Sequence, residues 1–125
     1  GSGRIGTVES AASGWAIAAA AKALGHEEMD ARAIFSQADV GAQWAENLID
    51  ASAHAISELS GDIAAMLGAT RIALGGSIGL ADGYLDRARE HQAGLPELFR
   101  ADLVAAKLGV LGPLLGALLI ANDFN

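Results

Sequence analysis

Cysteine is absent from this chain of 125 residues, which excludes disulfides, thiolate metal sites and a cysteine nucleophile together. Aromatic residues are only 5% of the chain against 52% hydrophobic residues, so Ala, Leu and Ile must fill the interior and helices must approach through small side chains. Positive charge is scarce too. The chain has 8 Lys and Arg against 15 Asp and Glu, a formal net charge of −7, and its basic residues are scattered rather than clustered. It therefore lacks the electrostatic footprint of a nucleic-acid binder.

Uninterrupted apolar length is also lacking. Residues 103–121 are nearly all apolar, but Lys107 interrupts them and Gly109, Gly112 and Pro113 break them. The remaining run, residues 108–121, has the length of a buried core helix and is too short for a membrane span. Gly112 and Gly116 have small-xxx-small spacing, a pattern that glycine-rich soluble chains produce by chance. The first residues do not form a secretory leader, and the expected location is cytoplasmic.

The chain does carry a glycine-bracketed opening, Gly3-Arg4-Ile5-Gly6-Thr7-Val8-Glu9-Ser10-Ala11-Ala12-Ser13-Gly14, which delivers one carboxylate, Glu9, to the mouth of an apolar helix. Unpaired N–H groups at a helix start hold an acid there, and its oxygens can accept substrate hydroxyls. The same position also suits a plain first-turn acid with no ligand. No strand or start methionine precedes the loop, so the part of the protein facing Glu9 is expected to lie outside the chain.

The pattern predicts a first helix over residues 9–24, stopped by Gly25, and a short one over 31–38 capped by Asp30. The longest helix is expected over 42–67, with an inward stripe of Trp44, Leu48, Ala55, Leu59, Ile63 and Met66. After Gly68 the period changes. Residues 71–74 read as a buried parallel strand that feeds the glycine turn Gly75-Gly76-Ser77. A helix follows over 81–92 with Tyr84, Leu85 and Ala88 inward, then a loop over 94–96 and a second strand over 101–106. Pro113 opens a last helix that runs to residue 121. This order implies a parallel strand pair inside an α/β layer.

Open α/β sheets place ligands at the carboxyl ends of their strands, where Gly75, Gly76 and Ser77 fall. Glycines let backbone approach a phosphate or ribose, although such turns are common without any ligand. The motif is neither G-x-G-x-x-G nor a phosphate loop, which disfavours both of those nucleotide-binding classes. His26, His54 and His91 are far apart and lack ligand-spaced neighbours, so they read as surface or helix-flank residues. Asp82 and Asp86 have the spacing of paired carboxylates and equally that of a solvated helix face. Trp15 and Trp44 read as core or subunit-contact anchors, since nothing basic surrounds them.

Taken together, the opening loop, Ala31-Ile34-Phe35, Leu74-Gly75-Gly76-Ser77-Ile78-Gly79-Leu80-Ala81-Asp82-Gly83-Tyr84-Leu85 and Leu115-Gly116-Ala117-Leu118-Leu119 resemble the carboxyl-terminal half of a ROK-family sugar kinase. The resemblance covers essentially the whole chain in order. It implies an α/β, helix-rich piece of a two-lobed actin-like ATPase (ribonuclease H-like) fold, with sugar, ATP and Mg in the cleft. Phosphate would pass to the 6-hydroxyl of an N-acyl hexosamine such as N-acetylmannosamine. Glu9 matches the family's sugar-binding glutamate, and Gly75, Gly76 and Ser77 match the turn against the nucleotide. The resemblance also implies a homodimer.

The departures carry expectations of their own. Ser2 and Thr7 stand where the family's zinc knuckle has cysteines, and a hydroxyl is a poor zinc ligand, so the family's zinc is expected to be lost. Val110-Leu111-Gly112-Pro113 replaces a polar stretch of the family. No catalytic residue is expected within residues 1–125, because the general base and the phosphate hairpin belong to an amino-terminal lobe that this carboxyl-terminal lobe lacks. The alternative is a non-catalytic sugar-sensing lobe of a ROK-type transcriptional repressor, or a dimerisation module.

Overall fold

The computed structural model describes residues 3–123. Seryl and aspartyl caps and positive-φ glycines divide it into helices α1 (Glu9–Ala12), α2 (Gly14–Ala23), α3 (Ala31–Asp39) and α4 (Gln43–Leu67), strand β1 (Arg71–Leu74), helices α5 (Gly76–Gly79) and α6 (Tyr84–Ala93), strand β2 (Asp102–Ala105) and helix α7 (Gly112–Asp123). Single turns of 3-10 helix, Glu97–Phe99 and Gly109–Leu111, flank β2. The element order agrees with the expected one, and β1 pairs with β2 in parallel, Arg71 opposite Asp102 and Leu74 opposite Ala105. Among the described residues, no helix is long and apolar enough to cross a membrane.

The expected first helix is in fact two. Ser13 adopts an extended conformation, its hydroxyl accepts the Ala16 N–H at 3.2 Å, and its own N–H donates to the Glu9 carbonyl. A serine that can cap competes with helix continuation, which is why α1 ends and α2 begins there. Asp30 caps α3 as expected, accepting the Ala33 N–H at 2.8 Å. Gly68 ends α4 in the left-handed conformation at φ 65°, where glycine carries no steric penalty.

The inward face of α4 differs from the expected stripe by about one residue. Ala45, Ile49, Ser52, Ala53, Ser57, Ser60, Gly61 and Ala64 are buried. Trp44, Leu48, Ala55, Leu59 and Ile63 lie on its flanks, half-buried, and Met66 is 80% exposed. The cause is close approach, for α4 packs most extensively against α6 and also meets the turn at Glu97–Phe99. A Cβ on Gly61 would come within 3.0 Å of both the Phe99 carbonyl oxygen and the Leu95 Cδ1. Only small residues fit that seam, so hydrophobic periodicity alone points to the wrong face.

The core joins Ile17 and Ala21 of α2, Ile34 of α3, Ile49 of α4, Tyr84 and Ala88 of α6 and Leu103 of β2. Tyr84 and Ala88 are inward as expected, while Leu85 is half-buried. Arg89 donates from Nε and Nη2 to the Leu103 carbonyl at 3.0 and 2.8 Å, fastening α6 to β2. The paired ends Arg71 and Asp102 form an ion pair of 2.7 Å, but both side chains are well exposed, so water screens most of its worth.

Helix α7 departs from expectation. The run read as a core helix lies open, with Leu114, Leu118, Leu119 and Ile120 each more than half exposed. Pro113 sits in its first turn, where the missing N–H leaves no bond unmade. The helix forms locally, yet nothing among the described residues covers its apolar surface.

Candidate functional site

The opening loop is shaped by two glycines and one threonine. Gly3 and Gly6 have φ of 69° and 75°, values that a side chain rarely tolerates. Between them and α1, the Thr7 hydroxyl donates to the Arg4 carbonyl at 3.4 Å and accepts the Ser10 N–H at 3.3 Å, and the Ser10 hydroxyl donates to the Thr7 carbonyl at 2.7 Å. These contacts order the loop through hydroxyl groups. Ser2 lies outside the described residues. Among the described residues, no three His, Asp or Glu side chains are grouped so as to hold a metal, and the Thr7 hydroxyl is committed to backbone.

Glu9 opens α1 and is exposed. Ala12, one turn later on the same helix, is buried against a small cavity of about 190 Å³ that Leu74, Gly75, Ile78, Gly79 and Tyr84 also line. The two most distinctive stretches of the sequence therefore meet in space. Gly14 sits beside this junction, where a methyl would make ordinary van der Waals contact with Ala31 Cβ at 3.5 Å and Ile78 Cδ1 at 3.6 Å. The Glu9 helix, the start of α3 and the glycine turn converge on Ile78.

At the expected glycine turn, Gly75 is extended and precedes α5, and Gly76 and Ser77 open the single helical turn Gly76–Gly79. Gly76 has φ of 76°, and no atom lies within 4 Å of the place its Cβ would occupy. Gly75 is confined on one side, where a Cβ would approach that of Ala106 at 3.4 Å. Bare backbone with open space above it suits the close approach of a ligand phosphate or ribose.

A second cleft, of about 440 Å³, continues from Ser77 and Ile78 to Asp30, Ala31, Arg32 and Phe35 of α3. Beneath the smaller cavity lies a buried polar pair, the Tyr84 hydroxyl and Ser52 Oγ at 2.8 Å. Burial pushes the Tyr84 phenol above its ordinary pKa of 10.0, and the Ser52 hydrogen bond opposes that shift. Sequence reasoning missed both the cleft and the pair. Ser52 is polar on a face that hydrophobicity assigns elsewhere, and no spacing in the sequence links Arg32 to Ser77.

The remaining candidates separate from this site. His91 Nε2 lies 2.8 Å from Asp50 Oδ1, and its ring meets that of His54 edge-on at 4.9 Å, a contact across α4 and α6 that sequence distance concealed. His26 stacks on Trp44 with ring centroids 3.7 Å apart. Asp86 pairs with Arg89 at 3.0 Å and Asp82 is exposed, so the two carboxylates form a solvated face. Trp15 is 47% exposed.

The likeness of the whole chain to known proteins agrees with this geometry. A sequence model of the ROK family matches residues 1–124. The chain belongs to the ROK family. It is 45% identical over 124 residues to an N-acetylmannosamine kinase of Shigella boydii, covering 98% of this chain and 42% of that protein. The ROK chain thus spans about two-fifths of the length of the curated relatives it matches. Among solved structures, a ROK hexokinase from Thermus thermophilus superposes with a TM-score of 0.80 at 26% identity, over 92% of this chain and 40% of that one. A ROK-family glucokinase from Streptomyces griseus, solved with glucose and AMPPNP, matches in fold with a TM-score of 0.74 at 22% identity, over 94% of this chain and 45% of that one. The helix-rich ROK fold with its parallel strand pair is therefore part of the actin-like sugar kinase architecture.

Proposed function

We propose that this chain is the carboxyl-terminal lobe of an ATP-dependent kinase that phosphorylates the 6-hydroxyl of an N-acyl hexosamine, with N-acetylmannosamine as the substrate. The observation that carries the reading is the 45% identity with N-acetylmannosamine kinase along 98% of the chain. Convergence of the Glu9 helix and the Gly75–Ser77 turn around Ile78 supports it from geometry. Glu9 binds sugar hydroxyls: an ionised carboxylate accepts two or more charge-assisted hydrogen bonds, which a hexose can donate. Gly75, Gly76 and Ser77 lie against the nucleotide. The open space above Gly76 fits a phosphate or ribose, and ATP with Mg supplies the transferred phosphoryl group. The general base and the phosphate clamp belong to the amino-terminal lobe. The enzyme works in the cytoplasm as a homodimer, and its opening loop is held by Thr7 and Ser10 without the family's zinc.

The deciding experiment is steady-state kinetics of the complete protein with Glu9→Gln. Loss of a charge-assisted contact of ~1.5–3 kcal/mol raises the KM for N-acetylmannosamine, or lowers kcat, by roughly one to two orders of magnitude. The KM for ATP stays in place. Unchanged sugar kinetics would reduce Glu9 to a helix-end acid. Metal analysis of the purified protein checks the loop, and a stoichiometric zinc would contradict the hydroxyl-based account.

A further inference from the structure

The glycine turn after β1 has little packing of its own. Three of residues 75–79 are glycine, and the cavity of about 190 Å³ lies against Gly75, Ile78 and Gly79, so side-chain contacts hold its backbone only weakly. Hydrogen bonds tether it at both ends. Before the turn, the Ala106 N–H donates to the Leu74 carbonyl at 2.8 Å; after it, the Ala81 N–H donates to the Ile78 carbonyl at 3.0 Å and the Tyr84 N–H to the Ala81 carbonyl at 3.1 Å. The second tether therefore ends on Tyr84. That side chain is 1% exposed, lines the same cavity, and shares a hydrogen bond of 2.8 Å with Ser52 in the middle of α4. Ala12, on the helix that begins with Glu9, lines the cavity as well.

We infer that Tyr84 is a positioning residue for phosphoryl transfer: its hydrogen bond to Ser52 anchors the glycine turn to α4 and so fixes where the turn holds the nucleotide. The inference rests on the reading of Gly75–Ser77 as the nucleotide turn and assigns the residue that keeps that turn in register. Apolar contact is non-directional and would let an aromatic ring slide along its neighbours. A hydrogen bond fixes both distance and angle. Phenylalanine would fill the same space beside Phe35, whose ring centroid lies 6.2 Å from that of Tyr84, but it would leave the depth of the ring unset. A buried neutral pair adds little net stability over apolar groups of the same shape, whereas a fully satisfied one specifies a single arrangement. Transfer between two bound substrates depends on such an arrangement, because small displacements of the donor slow the reaction.

The test is a double-mutant cycle in the complete protein: Tyr84→Phe, Ser52→Ala and the two together, each followed by denaturant titration and by KM for ATP and for sugar. Each single change leaves one buried hydroxyl without its partner, while the double change removes both, so the double variant regains much of the lost stability. Positioning is not regained with it. The expected result is a rise of about three- to tenfold in the KM for ATP, the size of one lost neutral hydrogen bond, equal in all three variants, with the sugar KM unchanged. Recovery of the ATP KM in the double variant together with its stability would overturn the inference, because the pair would then serve the fold alone. An equal rise in the sugar KM would overturn it too, by showing general loosening, as would an ATP KM that none of the three changes moves. Gly76→Val separates the inference from the reading beneath it. If that change weakens ATP while the cycle does not, the turn reading stands and Tyr84 loses its role; if neither does, the turn reading fails and the inference falls with it.

Discussion

Tyr84 is the single tyrosine of the chain, and it closes the cavity beneath the glycine turn with its hydroxyl bonded to Ser52. Burial raises its pKa in the folded state. The sign of the linkage follows: stability from the neutral phenol is intact below pH ~10, where the unfolded chain begins to ionise, and is lost as pH climbs through the raised value. Alkaline unfolding should therefore coincide with the appearance of phenolate absorbance, read without ambiguity from one residue. Phenolate forming at the ordinary value in a still-folded chain would contradict the burial argument. Tyr84→Phe should remove this alkaline dependence and destabilise the protein at neutral pH by ~1–3 kcal/mol, because Ser52 is left buried without a partner.

Helix packing in this chain depends on small residues at particular places. Gly61 lies in the middle of α4, where alanine would ordinarily stabilise a helix by ~1 kcal/mol. The Phe99 carbonyl at 3.0 Å from the added Cβ belongs to backbone, so the turn at Glu97–Phe99 must move, and overpacking of this kind costs ~1–3 kcal/mol. Gly61→Ala is accordingly expected to lower the unfolding midpoint in denaturant, and Gly61→Leu to do so far more severely. A stabilised Gly61→Ala variant would show that the seam is looser than the structure indicates. At the α1–α2 break, Ser13→Ala should cost ~1 kcal/mol through loss of the cap, measurable in the same titration. If Ser13→Ala is neutral, the break owes more to packing of Gly14 against Ala31 and Ile78 than to the hydroxyl.

The whole molecule presents an apolar helix to solvent and a candidate site with no general base assigned to it. Purified alone, the 125-residue chain is expected to show no ATP-dependent phosphorylation of N-acetylmannosamine, since positioned phosphoryl transfer needs a base and a phosphate clamp. Measurable turnover by this chain would overturn that division of labour. Exposed apolar patches drive association, so the isolated chain should also self-associate through α7. Sedimentation should show concentration-dependent mass that falls when Leu118 and Leu119 are changed to lysine. Mass unaffected by those changes would place the contact elsewhere.

Element order was legible in the sequence because caps and stops are local. Asp30, Gly25, Gly68 and Pro113 act on neighbouring backbone, and a parallel pair follows from strand, helix and strand in succession. The opening loop and the glycine turn were legible as candidates for the same reason, since their residue types suit particular backbone conformations. The inward face of α4 was not legible. Ala45, Ser52, Ser57 and Gly61 face the core because α6 approaches closely, and no periodicity within α4 contains the position of α6. Nor was the α3–α5 cleft, in which Arg32 and Ser77 come from segments 45 residues apart. By itself, then, the sequence determined the order of the main elements, the family and the backbone turns, all of which depend on short-range stereochemistry or on matching residues in order. Which sides of those elements meet was decided only by tertiary packing, and with it the enclosure of Tyr84, the exposure of α7 and the meeting of Ala12, Gly75 and Ile78, because each depends on the distance between elements.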